Sequence, residues 1–147
     1  MTANTQPLTG HCLCGAVAYA GNGGVQQVHA CHCSDCLRWS GGAFIGVRFA
    51  GGVAIADPAA VNWYNSSDWA ERGSCRTCGS TLFYRIKADP AQLIVTAGSV
   101  DDQDALPAIE EHIFIDSKPA YYEFHDDAPR ITGAEVFARY APTEDQE

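Results

Sequence analysis

Cys31-His32-Cys33-Ser34-Asp35-Cys36 is the stretch from which the rest of this 147-residue chain can be read. It is flanked by two shorter cysteine groups, Cys12-Leu13-Cys14 and Cys75-Arg76-Thr77-Cys78. Cysteines two or three residues apart can turn their sulfurs toward one metal ion, and thiolate-rich sets select zinc. The 7 cysteines divide naturally into a closed set of four and a set of three with one corner to spare. Structural zinc is closed, whereas catalytic zinc keeps a position for water or substrate. The arithmetic points to two zinc ions per chain and to an enzyme.

Outward from the clusters, the chain reads as many short strands. Gly15–Ala20 alternates small and apolar residues before the turn signal Gly21-Asn22-Gly23-Gly24. Val25–Ala30 leads into the three-cysteine cluster, and Ala43–Ala50 carries Phe44, Ile45, Val47 and Phe49. Val61–Tyr64, Thr81–Lys87, Gln92–Ala97 and His112–Ile115 are rich in β-branched and aromatic residues. Asp35–Ser40 has room for one helical turn. Pro and Gly punctuate the rest too often for long helices, so the expectation is a mainly β single domain over residues 1–147, with metal-bearing turns at strand ends.

Composition narrows the function. The hydrophobic content of 46% supports a packed core, and the formal charge of −9 repels phosphate backbones, so no nucleic-acid partner is expected. Met1 to Gly10 is polar and lacks the basic-then-apolar layout of a signal peptide. No apolar run reaches membrane-spanning length, so no membrane partner is expected either. The expectation is a cytoplasmic chain, where clustered cysteines serve as metal ligands rather than disulfides. The odd cysteine count also fits pairing badly.

Cys75-x-x-Cys78-Gly79 has the form of a zinc knuckle, in which turn N–H groups point at sulfur. With Cys12 and Cys14 it makes a complete four-thiolate set, whose expected role is folding. Cys31, Cys33 and Cys36 cap one face of a tetrahedron, and the fourth corner falls to water, substrate, or one of His29, His32 and His112. Two other divisions remain open on spacing alone. Cys33-x-x-Cys36 with Cys75-x-x-Cys78 would form a plain zinc ribbon, or the cysteines would be small buried hydrophobes.

Taken together, a set of strings resembles one family. They are Gly10-His11-Cys12-Leu13-Cys14-Gly15-Ala16-Val17, and the 31–36 cluster followed by Arg38 and Ser40-Gly41. The others are Arg72-Gly73-Ser74-Cys75-Arg76-Thr77-Cys78-Gly79-Ser80-Thr81-Leu82, Ala97-Gly98-Ser99-Val100-Asp101-Asp102, and His112-Ile113-Phe114. The resemblance is to the glutathione-dependent formaldehyde-activating enzymes, a family that also takes in centromere-protein-V-like domains, and it spans about residues 8–130. It implies a β-tent-like fold of small antiparallel sheets around a structural zinc site, with few short helices. It assigns Cys12, Cys14, Cys75 and Cys78 to structural zinc and Cys31, Cys33 and Cys36 to a catalytic-type zinc.

The resemblance also implies the chemistry of a carbon–sulfur lyase. A small thiol such as glutathione adds to formaldehyde to give S-hydroxymethylglutathione. The thiolate attacks the aldehyde carbon, and the developing alkoxide needs a proton donor or a cation. Arg38 and Ser34 lie near the cluster in sequence and are candidates for a substrate carboxylate; His112 is a candidate acid or base. Each also has an ordinary structural role open to it: a surface cation, a turn hydrogen bond, a core histidine. Trp39 either lines a pocket or belongs to the core. The competing function is a non-catalytic zinc scaffold that binds a protein, which would require a closed fourth corner.

Overall fold

The computed structural model describes residues 6–140. The elements run β1 (Leu8–His11), β2 (Ala18–Gly21), β3 (Val25–Cys31), α1 (Ser34–Ser40), β4 (Phe44–Phe49), β5 (Val53–Ile55), β6 (Val61–Asn65), β7 (Ala70–Cys75), β8 (Thr81–Ile86), β9 (Ile94–Thr96), β10 (Glu111–Ile113), β11 (Arg130–Ile131) and α2 (Gly133–Tyr140), joined by short 3-10 turns. The chain is mainly β, as its strand-forming segments predict. Contacts divide it into two compact units. One holds the residues up to Val28 together with Ile45–Ala108; the other holds His29–Phe44 and the residues from Ile109 onward. Among the described residues no helix is long and apolar enough to cross a membrane.

In the first unit, β1, β2 and β5 form a small antiparallel sheet with β2 in the centre. Alternation along β2 turns Tyr19 inward. Its ring stands edge-on to Phe83 at 5.5 Å, and its hydroxyl reaches Ser99 Oγ at 2.7 Å. Gly10 lies opposite Tyr19 in the β1–β2 register, because the tyrosine ring crosses the place a side chain would take. A second antiparallel array follows the order β4-β9-β8-β7-β6. Val47, Phe49, Val61, Leu82, Phe83 and Val95 from its strands are fully buried. Between β7 and β8 the register shifts at Gly73/Ser74, immediately before Cys75.

In the second unit, the end of β3 pairs with β10, and β10 pairs with β11, both in parallel. Parallel neighbours need long connections, and the 115–129 segment between β10 and β11 is one. Helix α1 begins where β3 has ended. Cys33 is its N-cap, with Sγ accepting the Cys36 N–H at 3.3 Å, and Gly41 closes it by donating to the Leu37 carbonyl at 2.9 Å. Helix α2 starts at a reciprocal cap. Thr132 Oγ1 accepts the Glu135 N–H, and Glu135 Oε1 accepts the Thr132 N–H, each at 3.2 Å.

The differences from expectation have local causes. The predicted Gly15–Ala20 strand begins only at Ala18, because residues 12–17 are wound into a turn closed by Gly15 N–H to Cys12 O. The predicted His112–Ile115 strand stops at Ile113, because Phe114 adopts φ 56°. Ladders in the second unit are parallel rather than antiparallel. Replacing Gly10 with Ala should be strongly destabilising. The new Cβ would overlap the Tyr19 ring and lie 2.6 Å from the Ser99 carbonyl oxygen. Urea denaturation at constant metal loading should show a loss of about 2–3 kcal/mol; an unchanged midpoint would mean that Tyr19 does not occupy this position.

Candidate metal centres

The first unit gathers Cys12, Cys14, Cys75 and Cys78, with all four sulfurs within 4.8 Å of one another. Cys12 Sγ to Cys14 Sγ is 3.6 Å, and Cys14 Sγ to Cys75 Sγ is 3.8 Å. A tetrahedron with metal–sulfur bonds of about 2.3 Å has edges of about 3.8 Å, so the spacing fits a thiolate-bound ion. Peptide N–H groups surround the sulfurs. Val17 N–H points at Cys12 Sγ at 3.3 Å, and Thr77 and Cys78 N–H point at Cys75 Sγ at 3.3 and 3.4 Å. Gly79, at φ 78°, lets the second turn close.

These groups share negative charge unevenly. The Ser80 hydroxyl, followed by its N–H, holds the Cys78 thiol down to about 5. Burial opposes ionisation of Cys12, but the Val17 N–H and neighbouring sulfurs outweigh it and keep that thiol below its ordinary value. Cys14 is pushed up to about 11: the Ala16 N–H favours its thiolate, but burial and the three other sulfurs prevail. Sulfurs packed this closely cannot all ionise unless a cation sits among them.

The second unit gathers Cys31, Cys33 and Cys36. Cys33 and Cys36, and after them burial, push the Cys31 thiol far up, again the mark of a thiolate group in want of a cation. Among the described residues no histidine, aspartate or glutamate joins these three as a fourth donor. Cys31 and Cys36 are buried, and Cys33 is half-buried. The four-plus-three division is therefore the one the sulfurs form.

Two of the candidate histidines, His32 and His112, are engaged elsewhere. His32 Nε2 lies 2.9 Å from His112 Nδ1, and His32 Nδ1 lies 2.7 Å from Tyr122 Oη. His112 Nε2 lies 3.0 Å from Asp126 Oδ2, and Asp126 Oδ1 accepts Arg130 Nη1 at 2.7 Å. Both imidazoles are fully buried. Burial, with the His112, Lys118 and Arg130 charges, lowers His32 to about 4, so it is neutral at physiological pH. The His112 hydrogen bond, helped by Arg130, brings Asp126 down to about 2, so it is a carboxylate. The chain Tyr122–His32–His112–Asp126–Arg130 is continuous.

Arg38 is exposed in the last turn of α1, two residues after Cys36. Lys118, Arg130 and Arg139 of the same unit are ion-paired with Glu123, Asp126 and Glu111. No carboxylate pairs with Arg38 among the described residues. Ser34 is the exposed first residue of α1, and half-buried Trp39 packs on Phe44 with ring centroids 5.3 Å apart.

With this geometry in hand, the chain was compared with known proteins. A sequence model of the glutathione-dependent formaldehyde-activating enzymes matches residues 7–117. The chain belongs to this family. An uncharacterized lyase of Schizosaccharomyces pombe is 26% identical over 127 residues, covering 86% of this chain and 92% of the relative. A putative glutathione-dependent formaldehyde-activating enzyme of Penicillium rubens is 33% identical over 82 residues, covering 54% of this chain and 43% of that protein. A crystal structure of a Rhodobacter sphaeroides protein matches with a TM-score of 0.52 at 23% identity, over 65% of this chain and 89% of that one, and shares the fold.

All seven cysteines of this family member thus fall into two metal-competent groups. What the sequence reading missed is the rest of the histidine chain. Tyr122, Asp126 and Arg130 lie in or just after the long connection between β10 and β11, and the only hint was the aromatic run Tyr121-Tyr122-Glu123-Phe124 before an Asp-Asp-Ala-Pro turn. The two cysteine groups should respond differently to loss of one sulfur. Cys14 and Cys75 are 61 residues apart, so the first group closes a long loop, whereas the second lies within one strand end and the helix beside it. Cys78→Ser should remove one metal equivalent and lower the thermal midpoint by roughly 10 °C or more. Cys33→Ser should also remove one equivalent but move the midpoint by less than about 3 °C. Metal analysis with calorimetry checks both; equal destabilisation would mean that both groups hold the fold.

Proposed function

We propose that this protein is a zinc-dependent carbon–sulfur lyase that joins a small thiol to formaldehyde, and cleaves the adduct in reverse, at Cys31, Cys33 and Cys36. Membership of the family supports the substrate pair. The observation that carries the reading is the three-sulfur group itself, which has no fourth protein donor among the described histidine, cysteine and carboxylate groups. Cys12, Cys14, Cys75 and Cys78 would hold a second, structural zinc.

Bound zinc would supply the positive charge that keeps an exogenous thiol deprotonated at neutral pH. The protein's own part is to hold three sulfurs on one side and leave the other to the substrate. Cys33 Sγ is fixed by the Cys36 N–H, and the Ser40 hydroxyl donates to the Cys36 carbonyl at 2.7 Å, so the helix end holds the sulfurs in place. In the forward reaction the thiolate forms a C–S bond with the aldehyde carbon, and the carbonyl π electrons move to oxygen, which takes a proton. In reverse, the hydroxyl loses its proton, the C=O bond re-forms and the thiolate leaves.

Among the described residues of the second unit no carboxylate pairs with Arg38, which suits it to a carboxylate on the thiol. His112 is unsuited to direct contact with substrate, since both ring nitrogens already have partners. A closed scaffold site would need a histidine as the fourth donor; the hydrogen bonds of His32 and His112 draw those two into the Tyr122–Asp126 chain, and His29 does not join the sulfur group.

The test is cobalt substitution followed by thiol titration. Small thiols should shift the sulfur-to-cobalt charge-transfer band of one site in two, and Cys33→Ser should abolish the shift. Magnetisation transfer between formaldehyde and glutathione should be faster with the zinc protein than without it. Arg38→Ala should weaken binding of carboxylated thiols by roughly tenfold, the effect of losing one charge-assisted contact, while sparing an uncharged thiol. If no thiol perturbs the cobalt spectrum, the lyase reading fails and a binding scaffold takes its place.

A further inference from the structure

Helix α2 grips strand β10 at both ends. At the start of β10, Arg139 Nη1 and Nη2 donate to Glu111 Oε1 and Oε2 at 2.7 and 3.0 Å. Just past its end, the Phe137 ring of α2 stands edge-on to Phe114 at 5.6 Å. The first turn of α2 is tied down beside it, with the Gly133 N–H donating to Asp116 Oδ1 at 2.8 Å. Gly133 is buried, and a Cβ on it would lie 2.9 Å from Phe114 Cδ1 and 3.0 Å from Cε1. Among the described residues Phe114 alone, apart from glycines, has a positive φ, at 56°. A bulky residue keeps that backbone only where its surroundings enforce it. Here Phe137 and the bare backbone of Gly133 form the seat for its ring.

Strand β10 is also the neighbour of the segment that carries Cys31. Its Glu111, His112 and Ile113 pair in parallel with His29, Ala30 and Cys31. The Ile113 carbonyl then accepts the His32 N–H at 3.0 Å. The strained Phe114 thus follows the residue that stands opposite one sulfur ligand and receives the next amide of the cluster. Cys33 and Cys36 belong to α1, as its cap and first turn, whereas Cys31 is the last residue of β3. The place of one sulfur relative to the other two therefore depends on where β3 ends, and β10 sets that end.

We propose that α2 is a clamp on the second sulfur group: Phe114, Gly133 and Arg139 are positioning residues that hold β10, and through β10 the Cys31 sulfur, in place for a metal ion. The inference rests on the reading of Cys31, Cys33 and Cys36 as a metal group, proposed above, and not on the reaction assigned to it. With the clamp released, Phe114 relaxes toward an ordinary backbone. The peptide between Ile113 and Phe114, whose carbonyl serves His32, is then free to turn. Cys31 loosens while Cys33 and Cys36 stay with the helix. A three-thiolate group that loses one sulfur holds zinc less firmly.

Gly133→Ala is the probe, because its new methyl drives the Phe114 ring off α2 without touching a sulfur ligand. Two measurements on the zinc-loaded full chain read the result. In amide hydrogen exchange the His32 N–H should exchange faster than in the wild type by about tenfold or more, the mark of local opening. The Cys75 N–H, bonded to Ser80 O in the first unit, should keep its rate. In competition with a zinc chelator, the equivalent that Cys33→Ser removes should be held about 10- to 100-fold less tightly, the scale seen when an outer support of a metal site is lost. The other equivalent should be held as before. Phe114→Ala meets Gly133→Ala at one contact, so the double variant should lose no more than the worse single one. Arg139→Ala, at the exposed end of the helix, should show the same selectivity at about two- to fivefold, and it decides the matter if Gly133→Ala does not fold. An unchanged His32 amide with unchanged zinc retention overturns the clamp, as do equal losses at both sulfur groups or additive losses at Gly133 and Phe114. If the wild type retains a single zinc, the reading of Cys31, Cys33 and Cys36 as a metal group falls and the clamp falls with it. Two zinc ions held equally well in wild type and variants remove only the clamp.

Discussion

The constraint on which this structure turns is repulsion between crowded sulfurs. Seven thiols are drawn into two groups tight enough that their thiolate forms oppose one another, and burial adds to the cost. Only a cation or retained protons can relieve this. The backbone around each group is arranged for the ionised state. Peptide N–H groups aim at Cys12 and Cys75, the Ser80 hydroxyl meets Cys78 at 3.1 Å, and the Cys36 amide of α1 turns to Cys33. Two turns in the first unit and one helix end in the second are shaped by that requirement, and the neighbouring strands end where these features begin.

The two groups meet the constraint on different length scales. In the first, ligands from a β1–β2 turn and a β7–β8 turn are brought together, so closing the group means ordering much of the first unit. In the second, all three sulfurs come from one run of chain, and the long-range order lies elsewhere. It rests in the parallel pairing of β3 with β10, which sets Ala30 opposite His112 and is carried on by the His32 N–H to Ile113 O bond at 3.0 Å. That pairing brings a residue far along the sequence beside His32. The second group therefore owes its local geometry to a helix cap and its surroundings to a sheet.

This split explains how much of the molecule was legible in the sequence. Ligand identities were readable because C-x-C and C-x-x-C spacings are short-range statements about turns. The strands around Phe44, Val61 and Thr81 were readable because β-branched and aromatic residues cluster there. Strand β7, Ala70-Glu-Arg-Gly-Ser-Cys, has no such pattern and exists because β6 and β8 bracket it. Helix α2 was legible in principle, since Thr132-x-x-Glu135 is a capping box, but the segment is short. Tyr122 and Asp126 were not legible. Their role depends on where a long connection lays its side chains, and no local propensity encodes that.

The histidine chain also shows why a motif residue need not do the work its position suggests. His32 sits inside the ligand cluster and His112 in a matching family string, so either looked fit to close the metal corner or to act directly on substrate. Each neutral imidazole has one donor and one acceptor. With Asp126 at one end of the chain and Tyr122 at the other, all four ring nitrogens are occupied, and neither ring has one left for a metal. Hydrogen-bond capacity settles what proximity in sequence leaves open. His32 and His112 are held instead in a chain anchored by Arg130, so the corner opposite Cys31, Cys33 and Cys36 is not theirs to fill.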